Sequence, residues 1–161
     1  MAIASVLTDS FKGELMKGGH NFNTAGGTPA GNAFKLALYT NAASLGTTTT
    51  VYSTSNEVTN ASGTAYGAGG KALTNTGVST STVTSFTDFA DLSVANGTAW
   101  TSASFTTRGC LIYNTTAVSG FTTNRAVCSI DFGGDKTVSN GTFSIEFPTN
   151  SSSAAIIRLT S

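Results

Sequence analysis

Charge is scarce in this chain of 161 residues: 8 basic and 8 acidic side chains cancel to a formal net charge of zero. Non-specific nucleic-acid binding depends on lysines and arginines that neutralise phosphates, so this balance argues against a nucleic-acid partner. A basic membrane-surface patch fails on the same count. Histidine occurs once, at His20, which leaves general-base chemistry almost without its commonest carrier. Two cysteines, Cys110 and Cys128, are too few for a disulfide-dense secreted scaffold. No apolar run approaches the roughly 18–20 residues of a membrane span. Residues 1–7 are mostly apolar, but the run is short and no basic region precedes it, so synthesis without export is expected. A chain with no net charge also has little electrostatic protection against self-association, which suits a protein that lives packed in an assembly.

What is abundant is equally directive. Serine, threonine, asparagine and glycine make up roughly half of the chain, together with 10 Phe, 4 Tyr and 1 Trp. Disordered chains are poor in aromatics and rich in like charge; threonine and aromatic side chains fit a half-buried pleated sheet. The length accommodates one domain with an ordinary core. A folded β domain is the expectation.

Residues 5–17 carry the one helix signal. Thr8 or Ser10 can cap it, Phe11 and Leu15 share a face, and Gly18-Gly19 stops it. Residues 18–32 have no periodicity and read as an extended arm or loop. Phe34, Leu36 and Leu38 alternate with Lys35, Ala37 and Tyr39 at strand period. Residues 41–82 read as a mostly irregular excursion with short paired segments. Further strands are expected over 83–89, 99–106, 109–114, 125–132, 142–147 and 154–160. Between them Asn96-Gly97, Gly133-Gly134-Asp135 and Asn140-Gly141 read as turns. The expected fold is mainly β: an antiparallel β-sandwich, jelly-roll-like or Ig-like, over residues 33–161, preceded by a short N-terminal helix and extended arm over residues 1–32. A three-turn helix is too short to be stable alone, so residues 1–32 are expected to grip a neighbouring subunit.

No reactive constellation emerges. His20 lies in the Gly/Asn-rich stretch and reads as a surface or interface polar residue. Cys110 and Cys128 fall inside strand patterns, as buried inert thiols or, if they meet on adjacent strands, a disulfide. Two cysteines and a distant histidine do not make a zinc site. Asp88, Asp91, Asp131 and Asp135 could offer oxygens to calcium, without the spacing of a known loop; as glycosidase pairs they carry less weight than as turn caps. Gly67-Ala68-Gly69-Gly70-Lys71 fails the phosphate-loop pattern twice, because Ala65 and Ala72 stand where glycine and Ser/Thr are required. Trp100, with Phe105 nearby, could stack a sugar ring but reads first as a packing aromatic. No catalytic, cofactor-binding or metal-binding residue is therefore assigned, no cofactor and no small-molecule substrate is expected, and an enzyme is the last reading.

Several segments resemble a family of small virion proteins of tailed bacteriophages. They are Ser10-Phe11-Lys12-Gly13-Glu14-Leu15 with Gly19-His20-Asn21-Phe22, then Ala33-Phe34-Lys35-Leu36-Ala37-Leu38-Tyr39-Thr40 and Asn56-Glu57-Val58. They continue with Tyr66-Gly67-Ala68-Gly69-Gly70-Lys71-Ala72-Leu73, Arg108-Gly109-Cys110-Leu111-Ile112-Tyr113-Asn114 and Asp131-Phe132-Gly133-Gly134-Asp135-Lys136. The resemblance spans residues 10–160 and implies a virion structural protein, foremost a capsid decoration (cement) protein. The partners it implies are the major capsid protein and further copies of this chain, in a particle made in the host bacterial cytoplasm. A tail, neck or fibre component, or a carbohydrate- or receptor-binding module, are the alternatives.

Overall fold

The computed structural model describes residues 2–59 and 61–161. It is mainly β, with two antiparallel sheets and one short helix, as expected. In chain order the elements are β1 (Val6–Leu7), α1 (Asp9–Met16), β2 (Phe34–Tyr39), β3 (Lys71–Leu73), β4 (Asn75–Ser81), β5 (Thr84–Phe89), β6 (Trp100–Asn114), β7 (Arg125–Phe143) and β8 (Ile157–Thr160). The larger sheet runs β1-β7-β6-β2-β3 and the smaller β4-β5-β8.

The centre of the larger sheet is buried on both faces, and the sequence explains how. In β2, Phe34, Leu36 and Leu38 point to the main core, where they meet Cys110, Ile112, Phe89 and Ile157. Ala37 and Tyr39 point the other way, into a second cluster with Leu111, Tyr113, Ala126, Ala43 and Ile3. A strand buried on both faces reads as a continuous apolar run, which is what residues 36–39 and 109–113 are. Part of the 41–82 excursion therefore serves as a lid over the outer face of the sheet, with Ala43, Leu45 and Tyr52 packed there.

The helix is shorter than the 5–17 expected. Val6 and Leu7 pair with Ser129 and Cys128 as a two-residue strand. Thr8 then caps α1, accepting a hydrogen bond from the Phe11 N–H at 3.3 Å. Gly18, at φ +78°, turns the chain out, and the Gly19 N–H returns to the Glu14 carbonyl at 2.8 Å.

Three expectations need correction. The N-terminal segment is not a free arm. Phe11 and Phe22 belong to the main core, with Phe22 stacked on Phe34 at 4.6 Å between ring centres, so residues 2–32 are spent on this domain. The reason is aromatic: Phe11, His20 and Phe22 recur closely enough to fold back as one packed group. Secondly, the stretches expected as separate strands over 99–106 and 109–114 form the single strand β6, and residues 125–143 form the single strand β7. The glycine signals at Gly133-Gly134-Asp135 and Asn140-Gly141 are bulges, not chain reversals. Residues 132–135 bulge out opposite Arg108, and Asn140, at φ +46°, marks a second register shift. Lastly, β3 and β4 lie within the excursion expected to be mostly irregular. β4 carries Val78 as its sole large apolar side chain, so no periodicity announces it.

Candidate functional site

Two polar clusters inside the fold gather most of the residues to which chemistry could be ascribed. The first surrounds His20. The imidazole is fully enclosed, with Nε2 2.8 Å from Glu14 Oε2 and Nδ1 3.1 Å from Asn114 Nδ2. This corrects the expectation of a surface residue: the Gly18-Gly19 stop folds the chain so that His20 faces back onto α1 and the end of β6. Asn114 Oδ1 accepts from the Thr116 N–H at 2.9 Å, which fixes its amide so that Nδ2 donates. His20 Nδ1 must then accept, Nε2–H donates to Glu14, and the ring is neutral. Burial lowers its pKa below 6.5, opposed by the bond to Glu14 and assisted by the charge on Arg125.

Arg125 is itself buried. It donates to the Gly19 and Thr122 carbonyls, both at 2.7 Å, lies 3.8 Å from Glu14 through Nε, and stacks over Phe121. The network Glu14–His20–Asn114, with Arg125 beside it, ties the helix exit to β6 and β7. Among the described residues no hydroxyl or thiol nucleophile hydrogen-bonds to the imidazole. A base without an adjacent nucleophile or an open side has nothing to act on.

The second cluster gathers all four tyrosines around Glu57. The carboxylate accepts from the Tyr52 hydroxyl at 2.6 Å, the Tyr66 hydroxyl at 2.7 Å and the Gly69 N–H at 2.7 Å. Tyr113 stacks on Tyr52 and donates to the Gly69 carbonyl, while Tyr39 donates to the Ser53 carbonyl at 2.6 Å. Burial and the neighbouring carboxylate drive the phenol of Tyr66 far above its ordinary value; burial first, then the Glu57 charge, pushes Tyr113 up to about 12. The glycine-rich segment 67–71 thus does bind an anion through its backbone, but the anion is the chain's own Glu57. Gly70, at φ +69°, presses so close to the Leu36 carbonyl that any side chain would collide with it. Composition singled out the glycines; nothing in the sequence pointed to Glu57 as their partner.

The other residues considered from sequence lie apart. Trp100 is fully buried against Phe105, Phe143 and Tyr66, so it is a core side chain and offers no sugar-stacking platform. Cys110 and Cys128 are free thiols buried in the core, one cross-strand row apart, and burial pushes both far from reactivity. Asp88 accepts from the Phe89 and Ile156 N–H groups, and Asp91 from the Phe147 N–H. Asp131 is paired with Arg108 at 2.8 Å, which holds its carboxyl below the usual range, and Asp135 flanks the same guanidinium. The four aspartates are thus turn and bulge locks. Among the described residues no group of three His, Cys, Asp or Glu side chains is placed to hold a metal ion.

One open groove of about 560 Å³ runs between β7 and residues 144–156, walled by Phe132, Phe143, Ile145, Phe147 and Ile156. Lys136 and Glu146 are the charged side chains of its lining, alongside Ser144 and the buried thiol of Cys110. Comparison with protein-family models, with curated proteins and with solved structures returns no match to this chain.

Proposed function

We propose that this chain is a non-enzymatic structural protein of a tailed-phage virion, a capsid decoration protein that stabilises the head by bridging copies of the major capsid protein. The observation that carries this reading is where the polar chemistry goes. His20, Glu57, Asp88, Arg125 and the four tyrosines are committed to bonds within the molecule. What is turned outward is a surface without net charge, rich in serine, threonine and asparagine, with Met16, isolated valines and a leucine exposed on it. The phage-like segments of the sequence supply the setting.

A protein that binds only the assembled shell favours assembly by mass action. Residues 2–32 are docked on the chain's own core through Phe11, His20 and Phe22 but keep much of their outer side exposed, Met16 included, so contact with the shell is shared between that side and the outer sheet surfaces and loops. Capsids lacking the protein, given purified chain, should bind it to saturation at hundreds of copies and resist heat-induced opening better than bare capsids. A few dozen copies confined to the tail or neck would replace decoration by the tail reading. No association with any particle would end the proposal.

A further inference from the structure

The smaller sheet has an edge that the fold leaves open. β4 is the terminal strand of β4-β5-β8 and the longest edge strand in the molecule, seven residues against two in β1, three in β3 and four in β8. Its first residues are covered: Asn75 Nδ2 donates to the Asn23 and Asn32 carbonyls, and Thr24 lies against Gly77. From Val78 to Ser81 no other segment among the described residues bonds to its outer side.

Native edges are normally guarded by a lysine, a proline, a bulge or a covering loop. Here a bulge at Thr76-Gly77 interrupts the covered first half, while the outer half from Val78 on keeps regular register with β5 and has no lysine, proline or covering loop among the described residues. From Ala72 to Thr87 there is no charged residue and no proline. The apolar side chains follow the same pattern. Val78, Thr87 and Ile157 form one cross-strand row, and Thr80, Ser85 and Leu159 the next row on the same face. The core covers Thr87 and Ile157 but leaves Val78 57% and Leu159 54% exposed, with Val83 at the hairpin tip 58% exposed.

We infer that the Val78–Ser81 edge is a self-association surface, pairing antiparallel with the same edge of a second copy to give one continuous six-stranded sheet. A second copy is the occupant because the edge complements itself. Two uncharged strands meet without like-charge repulsion. Every two-fold register within Val78–Ser81 sets serine, threonine or valine opposite one another, uncharged pairs of which those between hydroxyls can hydrogen-bond across the strands. A two-fold arrangement also closes, limiting the assembly to a dimer along this edge. Four paired residues and a few half-exposed apolar side chains fall below the roughly 1,000 Å² of a stable interface. The contact is therefore weak between free molecules and takes hold when copies are concentrated, as on a shared surface. It stands whether or not that surface is a capsid.

Single cysteines test it, since the native Cys110 and Cys128 are buried and do not compete. Val78→Cys, Ser79→Cys, Thr80→Cys and Ser81→Cys would be oxidised at millimolar protein beside Val94→Cys, a control at a site that is 64% exposed elsewhere. In a two-fold strand pair only residues on or next to the axis come within disulfide reach, roughly 4.4–6.8 Å between Cα atoms. The expected result is a linked dimer at one or two adjacent positions, at least tenfold above the control. The yield should collapse two residues away and on adding Thr80→Lys or Ser81→Lys outside the linked position. Equal yields at all five positions, or no dimer at any of them, would overturn the inference.

Discussion

Replacing Glu57 by alanine is the sharpest test of how the glycine-rich segment and the tyrosines are held. The carboxylate now receives three donors within 2.7 Å. Alanine strands two of them in the interior, the Tyr66 hydroxyl and the Gly69 N–H, whereas half-buried Tyr52 can turn to water. A buried donor left without a partner costs about 1–3 kcal/mol. Part of this is offset because a charge no longer has to be kept out of water. The net expectation is a loss of about 3 kcal/mol, or about 6–12 °C in Tm for a chain of this size. Glu57→Gln keeps one acceptor for Tyr66 and Gly69, and the Tyr52 hydroxyl can reverse to accept from the amide, so about 1 kcal/mol is expected. Urea denaturation followed by circular dichroism gives both values, and an unchanged m-value keeps them comparable. Combined with Tyr66→Phe, Glu57→Ala should show a coupling of about 1–2 kcal/mol. If Glu57→Ala stays within about 0.5 kcal/mol of the parent, or the coupling vanishes, the carboxylate is not what anchors this layer.

Three further outcomes follow from the same structure. Gly70→Ala puts a methyl group into the Leu36 carbonyl at a positive φ and should cost on the order of 3 kcal/mol or more, while Gly67→Ala, with open space around it, should stay within about 0.5 kcal/mol; similar unfolding midpoints for the two would refute the packing argument. His20 is held neutral with its pKa below 6.5, so its contribution to stability is complete above about pH 6.5 and is lost as pH falls toward the lowered folded value. Urea midpoints measured from pH 7 to 5 should fall for the parent and fall less for His20→Gln, and parallel slopes would contradict that assignment. Cys110 and Cys128 should not react with a thiol reagent in the native protein and should both react in denaturant; prompt labelling of the folded chain would place at least one of them outside the core.

Much of the outline was legible because the local signals were strong. Phe34-Lys35-Leu36-Ala37-Leu38-Tyr39 states a strand by its alternation, and Thr8 and Gly18-Gly19 bracket the helix; the strand expected over 142–147 instead ends at Phe143 as the close of β7. The bulges were half-legible. Gly133 and Asn140 take positive φ, but a positive φ serves a bulge as well as the turn expected there, and only the partner strand β6 distinguishes them. β4 was not legible, since Asn75-Thr76-Gly77-Val78-Ser79-Thr80-Ser81 has no alternating apolar set and is ordered by its hydrogen bonds to β5.

The amino-acid sequence by itself determined the class of this molecule. Near-absence of charge, plentiful threonine and phenylalanine, and strand-period segments admit little other than a neutral β domain, because composition and period act locally, residue by residue. Tertiary structure alone decided the fate of the polar residues. Glu57 and Gly69, His20 and Asn114, and Arg125 and Gly19 are separated by 12, 94 and 106 positions. Whether such groups meet depends on how strands are ordered in the sheet and where the loops return, which no local pattern encodes. That long-range pairing turned a histidine expected at the surface into an interior tie, and a glycine run into the seat of an internal carboxylate.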